Sequence, residues 1–315
     1  MLRKPDSRGC GRIGNERHSR NAGEERAVAR INGLIDKLAR KEIAFGTWVQ
    51  SGDFAAARVA GDSSADFAFV DMEHTGFHFP DLGHTLQWMV SRRTAAQQPA
   101  PASPIVRTPP NASERNQWMT KQALDYGAMG ILLPQVMNAD DVAAAVEAAR
   151  YPLGPDGIGP QGVRGSLPFQ AMRYWGMTSV PDYYEKADLW PLNEHGELLL
   201  LLLVENVAAW ENIEELVAVP GVGGVVWGAG DGAVSMGIRT FDITDPRLTP
   251  YRRKVISACK AAGVAVGTPA AGVAVGSPAP DIYEAIDEGF DFIALGRWDS
   301  DLAAKARDYA ASKAG

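Results

Sequence analysis

The stretch TWVQSGDF, residues 47–54, follows the first apolar run of the chain and decides between two parallel-sheet folds. An open, doubly wound sheet carries a glycine-rich dinucleotide turn after its first strand, and one glycine, Gly52, does not make such a turn. Outward from this stretch, short apolar runs alternate with longer amphipathic ones. Ala44–Val49, Phe67–Met72, Pro104–Arg107, Gly130–Leu133, Leu199–Glu205, Gly223–Trp227, Val264–Gly267 and Phe292–Leu295 read as strands. Helical patterns fall between and after them: Phe54–Val59, Asp81–Val90, Asn116–Tyr126, Asp140–Ala149, Val207–Val217, Arg252–Ala262, Asp281–Glu288 and Leu302–Ser312. Alternation implies parallel βαβ units, and eight repeats imply a closed (β/α)8 barrel of the α/β class.

A length of 315 residues would also allow two domains, but the eight repeats make residues 31–315 one barrel. Residues 1–30 are rich in Arg and almost free of apolar side chains, and read as a disordered or basic docking arm. Residues 151–197 form an insertion rich in Gly, Pro and aromatics between the fourth and fifth strands, and loops of that length are usually functional. AAGVAVGTP at 261–269 is followed by AAGVAVGSP at 270–278, so two near-identical segments compete for the seventh strand.

Composition narrows the function. Lys and Arg total 31 against 38 Asp and Glu, and a net charge of −7 disfavours a nucleic-acid partner. The longest apolar run, Leu198 to Val204, is far shorter than the roughly 20 residues a membrane span requires. The two cysteines, Cys10 and Cys259, make no disulfide framework, which fits a reducing, cytoplasmic setting. The expected partners are small molecules.

In such barrels the catalytic groups sit at the carboxyl ends of the strands. There the second strand ends in Asp71-Met72-Glu73-His74, the third in Arg107, the fifth in Glu205-Asn206 and the sixth in Trp227-Gly228-Ala229-Gly230-Asp231. Glu205 and Asp231 suit a hard divalent cation, which takes one or two carboxylates plus water and substrate oxygens. Asp231 also suits a helix N-cap. His74 suits a base, with Asp71 or Glu73 to hold its tautomer, while His78 and His84 read as structural. Arg107 suits a carboxylate or an enolate oxygen. Gly228, Ala229 and Gly230 let a ligand carboxylate approach backbone N–H groups, or simply form a tight turn. No Lys stands at an expected strand end, so metal-assisted enolate chemistry is favoured over imine chemistry.

These residues resemble the HpcH/HpaI aldolase family, the class II pyruvate aldolases related to citrate lyase subunits. The resemblance runs from about Ile31 to Ala310. It rests on DMEH at 71–74, IVR at 105–107, ALDYGAMGILLPQV at 123–136, ARYPLGPDGIG at 149–159, GVRG at 162–165, VEN at 204–206 and GAGDGAVSMG at 228–237. The 26-residue step from Glu205 to Asp231 matches the family's metal-ligand spacing. The resemblance implies Mg²⁺, Mn²⁺ or Co²⁺ on Glu205 and Asp231, His74 as base with Asp71 as its partner, and Arg107 beside the keto oxygen. It implies a pyruvyl carboxylate bound at Gly228 to Asp231. It also implies a homo-oligomer, trimer or hexamer, that exchanges its last helix, here roughly 299–312. The family often has Gln two residues before the metal-binding Glu, where this chain has Leu203, and its strand-six Gly-Pro-Ala-Asp reads Gly-Ala-Gly-Asp here.

The expected reaction is retro-aldol cleavage of a 4-hydroxy-2-oxo acid to pyruvate and an aldehyde. Phe77, Phe79, Trp118, Tyr174, Trp175, Tyr183, Tyr184, Trp190 and Trp227 are expected near the mouth, which would suit a bulky or aromatic aldehyde half, or release of formaldehyde from an aromatic hydroxymethyl compound. A CoA-ester lyase and a non-catalytic metabolite-binding barrel are the competing readings.

Overall fold

A strand covered on both faces has no polar side to show, and Leu199–Val204 is apolar and buried at every position. The computed structural model describes residues 30–91, 102–110, 112–154, 157–240, 242–269 and 281–313. Residues 1–29, most of the expected arm, lie outside them.

The chain begins with α1 (Gly33–Ala39), β1 (Ala44–Gln50), α2 (Phe54–Asp62), β2 (Phe67–Asp71), α3 (Phe79–Met89), β3 (Ser103–Arg107), α4 (Gln117–Asp125), β4 (Gly130–Leu133) and α5 (Ala139–Ala149). Two short helices follow, α6 (Phe169–Tyr174) and α7 (Val180–Lys186). Then come β5 (Leu199–Val204), α8 (Val207–Glu211), α9 (Ile213–Val217), β6 (Gly224–Trp227), α10 (Ala229–Ser235) and α11 (Thr249–Ala262). The chain closes with β7 (Ala265–Pro269), α12 (Ile282–Glu288), β8 (Phe292–Leu295) and α13 (Ser300–Lys313). The strands pair in chain order, all parallel, and β8 returns to β1 to close the barrel.

Strand alternation sorts the core into two layers. Phe67, Phe69, Ile105, Leu132, Leu199, Leu201, Leu203, Val226 and Phe292 fill the interior. Val70, Val106, Leu200, Leu202, Val204 and Val225 pack outward against the helices. The first repeat copy supplies β7, and 270–280 lies outside the described residues. The single helix expected over Val207–Val217 is two, broken at Asn212, whose side-chain amide donates to the Met137 carbonyl at 3.2 Å.

The amino end of the barrel is closed by α1, which the strand–helix alternation did not disclose because it precedes the first repeat. Asn32 caps it, accepting from the Leu34 and Ile35 N–H groups. The Asn32 amide also donates to the Met129 and Glu197 carbonyls, just before β4 and β5. Leu34 and Ile35 thereby join the interior layer.

The insertion lies at this same end. It leaves the C-terminus of α5 and re-enters the sheet at the start of β5, so it cannot reach the mouth without recrossing the barrel. Arg150 grips Asp188 with two hydrogen bonds of 2.6 and 2.8 Å. Arg164 binds Asp125 at 3.0 Å and the Tyr183 hydroxyl at 3.1 Å, and lies over the Tyr151 ring. The Trp175 indole donates to the Gly127 carbonyl at 3.0 Å, and Trp190 pairs with Leu198 below β5. Tyr174, Trp175, Tyr183, Tyr184 and Trp190, expected near the mouth, therefore build the flank and floor.

Candidate active site

The site is assembled from inward-facing positions at the carboxyl ends of the strands. Phe67 and Phe69 face the interior of β2, so alternation turns Asp71 inward, and Ile105 does the same for Arg107 on β3. Asp71 and Arg107 are register partners, and Arg107 Nε donates to Asp71 Oδ1 at 2.9 Å. Arg107 Nη1 lies 3.2 Å from Glu73 Oε2, and the guanidinium sits 4.7 Å over the Trp48 ring. The Glu73 N–H donates to Asp71 Oδ1 at 3.0 Å and the Thr75 hydroxyl to the Asp71 carbonyl at 2.6 Å. This tight turn presents His74 with its side chain 62% exposed and Nε2 3.6 Å from Glu73 Oε2. The carboxylate beside His74 thus belongs to Glu73. Asp71, the partner implied by the resemblance, is committed to Arg107 across the sheet.

Leu199, Leu201 and Leu203 face the interior of β5, so Glu205, one alternation further, faces the mouth. Glu205 is buried. Burial pushes its carboxyl up to about 8, the charges of Glu73 and Asp231 add to the rise, and the Gln135 N–H opposes it. Burial also raises Glu73, against the pull of Arg107 and His74.

Gly228 precedes α10. A Cβ there would fall 2.6 Å from the Glu205 Cβ, so only glycine lets α10 start this close to β5. A Cβ at Gly232 would fall 2.1 Å from the Trp210 ring, which seats the other side of the same helix. Asp231 stands in the first turn of α10 and makes no hydrogen bond or ion pair among the described residues, although both Glu73 and Glu205 feel its charge. Ala229 and Gly230 are half-buried in the same turn. Leu203 is the top interior residue under the site, its Cδ1 3.2 Å from where a Gly228 Cβ would stand.

Trp227 is the clearest departure from expectation. Val226 faces inward, so Trp227 faces out, where it stacks on Trp210 with centroids 4.6 Å apart. It is buried in the outer layer. The alternation that places Glu205 inward also predicts this, so the signal was present in the strand itself.

The sequence profile described as "HpcH/HpaI aldolase/citrate lyase" matches residues 44–305. The chain belongs to that family. A 2-dehydro-3,6-dideoxy-6-sulfogluconate aldolase of Pseudomonas putida is 31% identical over 73% of this chain and 79% of its own length. A hydroxypyruvate/pyruvate aldolase of Paraburkholderia phytofirmans is 29% identical over 84% and 90%. The crystal structure of an HpcH/HpaI aldolase/citrate lyase family protein from Burkholderia cenocepacia superposes with a TM-score of 0.68 at 27% identity, covering 90% of this chain and all of that one. As a member of the aldolase family, the chain is an aldehyde-lyase. Among the described residues no helix is long and apolar enough to cross a membrane.

Two residues of the aldolase site escaped sequence reasoning. Gln135 donates from its backbone N–H and its side-chain amide to Glu205 Oε1, at 2.9 and 3.2 Å. Trp48 forms the platform under Arg107. Neither carries the charge that marks a candidate in a bare sequence.

Proposed function

We propose that this chain is a divalent-metal-dependent aldolase that cleaves a 4-hydroxy-2-oxo acid to pyruvate and an aldehyde. The observation that carries the reading is that α10 starts against β5, a Gly228 Cβ falling 2.6 Å from the Glu205 Cβ, so that its first turn carries Asp231 beside buried Glu205; among the described residues Glu205 Oε2 and the Asp231 carboxylate accept no hydrogen bond. Among the described residues no group of three or more His, Cys, Asp or Glu side chains could hold a metal. Two carboxylates fit a cation such as Mg²⁺, Mn²⁺ or Co²⁺ that keeps water and substrate oxygens in its remaining positions. Glu205 Oε2 and the Asp231 carboxylate would hold it, and when bound it polarises the substrate's keto oxygen as a Lewis acid.

The chain's own residues supply the rest. Arg107 Nε donates to Asp71 and Nη1 lies against Glu73, and among the described residues Nη2 has no partner, so Nη2 would receive the oxygen on which enolate charge develops. His74 accepts the proton of the 4-hydroxyl. The C3–C4 bond breaks, its electron pair forms the pyruvate enolate, the aldehyde leaves, and the proton held by His74 is returned to C3. The small backbone at Gly228 to Asp231 accommodates the substrate carboxylate. Pyruvate release from a panel of 4-hydroxy-2-oxo acids, with added metal and with EDTA, tests this reading. Turnover indifferent to EDTA overturns the metal role, and full activity in His74→Ala overturns the base.

A bulky aldehyde half remains supported by fewer aromatics than the sequence offered. Phe77, Phe79 and Trp118 stand on the segments after β2 and β3, their centroids 5.4 to 5.9 Å apart, with Phe77 and Trp118 about half exposed. Acceptance of short aliphatic aldehydes alone would remove it. We also infer a homo-oligomer, because Ile158, Val163, Leu167 and Phe169 are all exposed on the single chain. A monomer by light scattering would contradict that.

A further inference from the structure

We propose that Gln135 is a positioning residue that fixes the carboxylate of Glu205 for a bound divalent cation. The proposal rests on the metal reading of Glu205 and Asp231 above. Gln135 follows β4 with φ 56°, in the left-handed region that residues bearing a Cβ seldom occupy. In that conformation its backbone N–H and its side-chain amide converge on one oxygen, Oε1 of Glu205. Two donors on one oxygen restrict rotation of the carboxylate. Oε2, which no described residue hydrogen-bonds, remains for a ligand.

The turn that carries Gln135 is itself anchored. The Val136 carbonyl accepts the Asn206 amide at 3.1 Å and the Met137 carbonyl accepts the Asn212 amide at 3.2 Å. Residues 135, 136 and 137 therefore each bond to the segment after β5, at positions 205, 206 and 212. A backbone in a sparsely populated conformation persists only where its surroundings determine it, and such positions concentrate at functional sites. Here the surroundings are the Glu205 carboxylate and the Asn206 side chain that also caps α8. Hydrogen-bond partners of metal ligands orient them, and losing one typically weakens metal binding by about 10- to 100-fold.

The test is Mn²⁺ binding to the full-length protein after EDTA stripping and dialysis, read by calorimetry and by the EPR signal of free Mn²⁺. Gln135→Met keeps the length and the backbone N–H and removes the side-chain donor, and should weaken binding roughly tenfold. Gln135→Gly relieves the positive φ and keeps the backbone N–H, so it reports the same loss if the Met variant folds poorly. Glu205→Gln is the control and should abolish binding. Wild-type affinity within about twofold in both Gln135 variants, with binding lost in Glu205→Gln, overturns the positioning role and leaves the metal reading standing. Binding unchanged in Glu205→Gln overturns the metal reading, and the positioning role falls with it.

Discussion

The two ends of this barrel hold similar residues in opposite states. At the amino end, buried Arg150 is matched to Asp188, and Asp188 also accepts the Leu189 N–H and the Asn193 amide. Burial alone would raise the Asp188 carboxyl, but those bonds hold it below the usual carboxylate range. At the carboxyl end, Arg107 faces Asp71 and Glu73, yet Glu205 is pushed up to about 8 and Asp231 has no described partner. On the floor the Arg150–Asp188 pair satisfies its charges within the chain, although buried Glu197 at the same end is raised by burial against the pull of Arg30 and Lys186. At the mouth Glu73, Glu205 and Asp231 crowd together, and burial with that crowding raises Glu73 and Glu205.

Substitutions on either side should separate the two ends. Glu205→Gln should lower kcat/KM for pyruvate release by at least about 10³-fold, since Lewis-acid stabilisation is worth several kcal/mol. Its thermal midpoint should hold or rise, because a buried carboxylate is removed. A loss of stability in that variant would make Glu205 a structural residue like Asp188.

Arg150→Met should do the reverse. It leaves Asp188 buried and unpaired, which costs about 3–5 kcal/mol in urea unfolding, while the folded fraction keeps its KM and kcat. Activity lost out of proportion to folding would connect the floor to the chemistry. Trp227→Phe should cost about 1–2 kcal/mol through lost packing on Trp210 and leave substrate KM within about twofold. A large rise in KM would return Trp227 to the substrate.

The smallest effect is in acid. Asp188 has a folded-state pKa below its unfolded value, so its contribution to stability is complete above about pH 4 and is lost as pH falls through the lower folded value. Asp188→Asn should flatten the acid limb of stability against pH below about 4. An unchanged limb would mean that Asp188 titrates alike in the folded and unfolded chain.

Much of this was legible in the residues themselves. The eight strands were readable because strands buried on both faces are written as unbroken apolar runs. The ends of β2, β3, β5 and β6 were readable because charged residues stand abruptly after those runs. Trp227 and the insertion aromatics were misplaced for different reasons. For Trp227, the one-residue alternation within β6 already pointed outward. For Tyr174, Trp175, Tyr183 and Trp190, the chain order from α5 into β5 already assigned the floor, and aromatic content outweighed it.

Other features had no one-dimensional trace. The amide of Gln135 is neutral and its positive φ is invisible in LPQV, yet it reaches a residue 70 positions away. Asp71 could face either His74 or Arg107 until β2 and β3 came into register. Gly228 read as a turn or an anion contact, and it is the closeness of the Glu205 Cβ that requires a glycine there. Sequence alone determined the barrel and the ends of its strands, because burial and periodicity act locally along the chain. Which carboxylate is paired, which is left open and what holds it in place were decided by contacts between strands, which exist only once the barrel has closed.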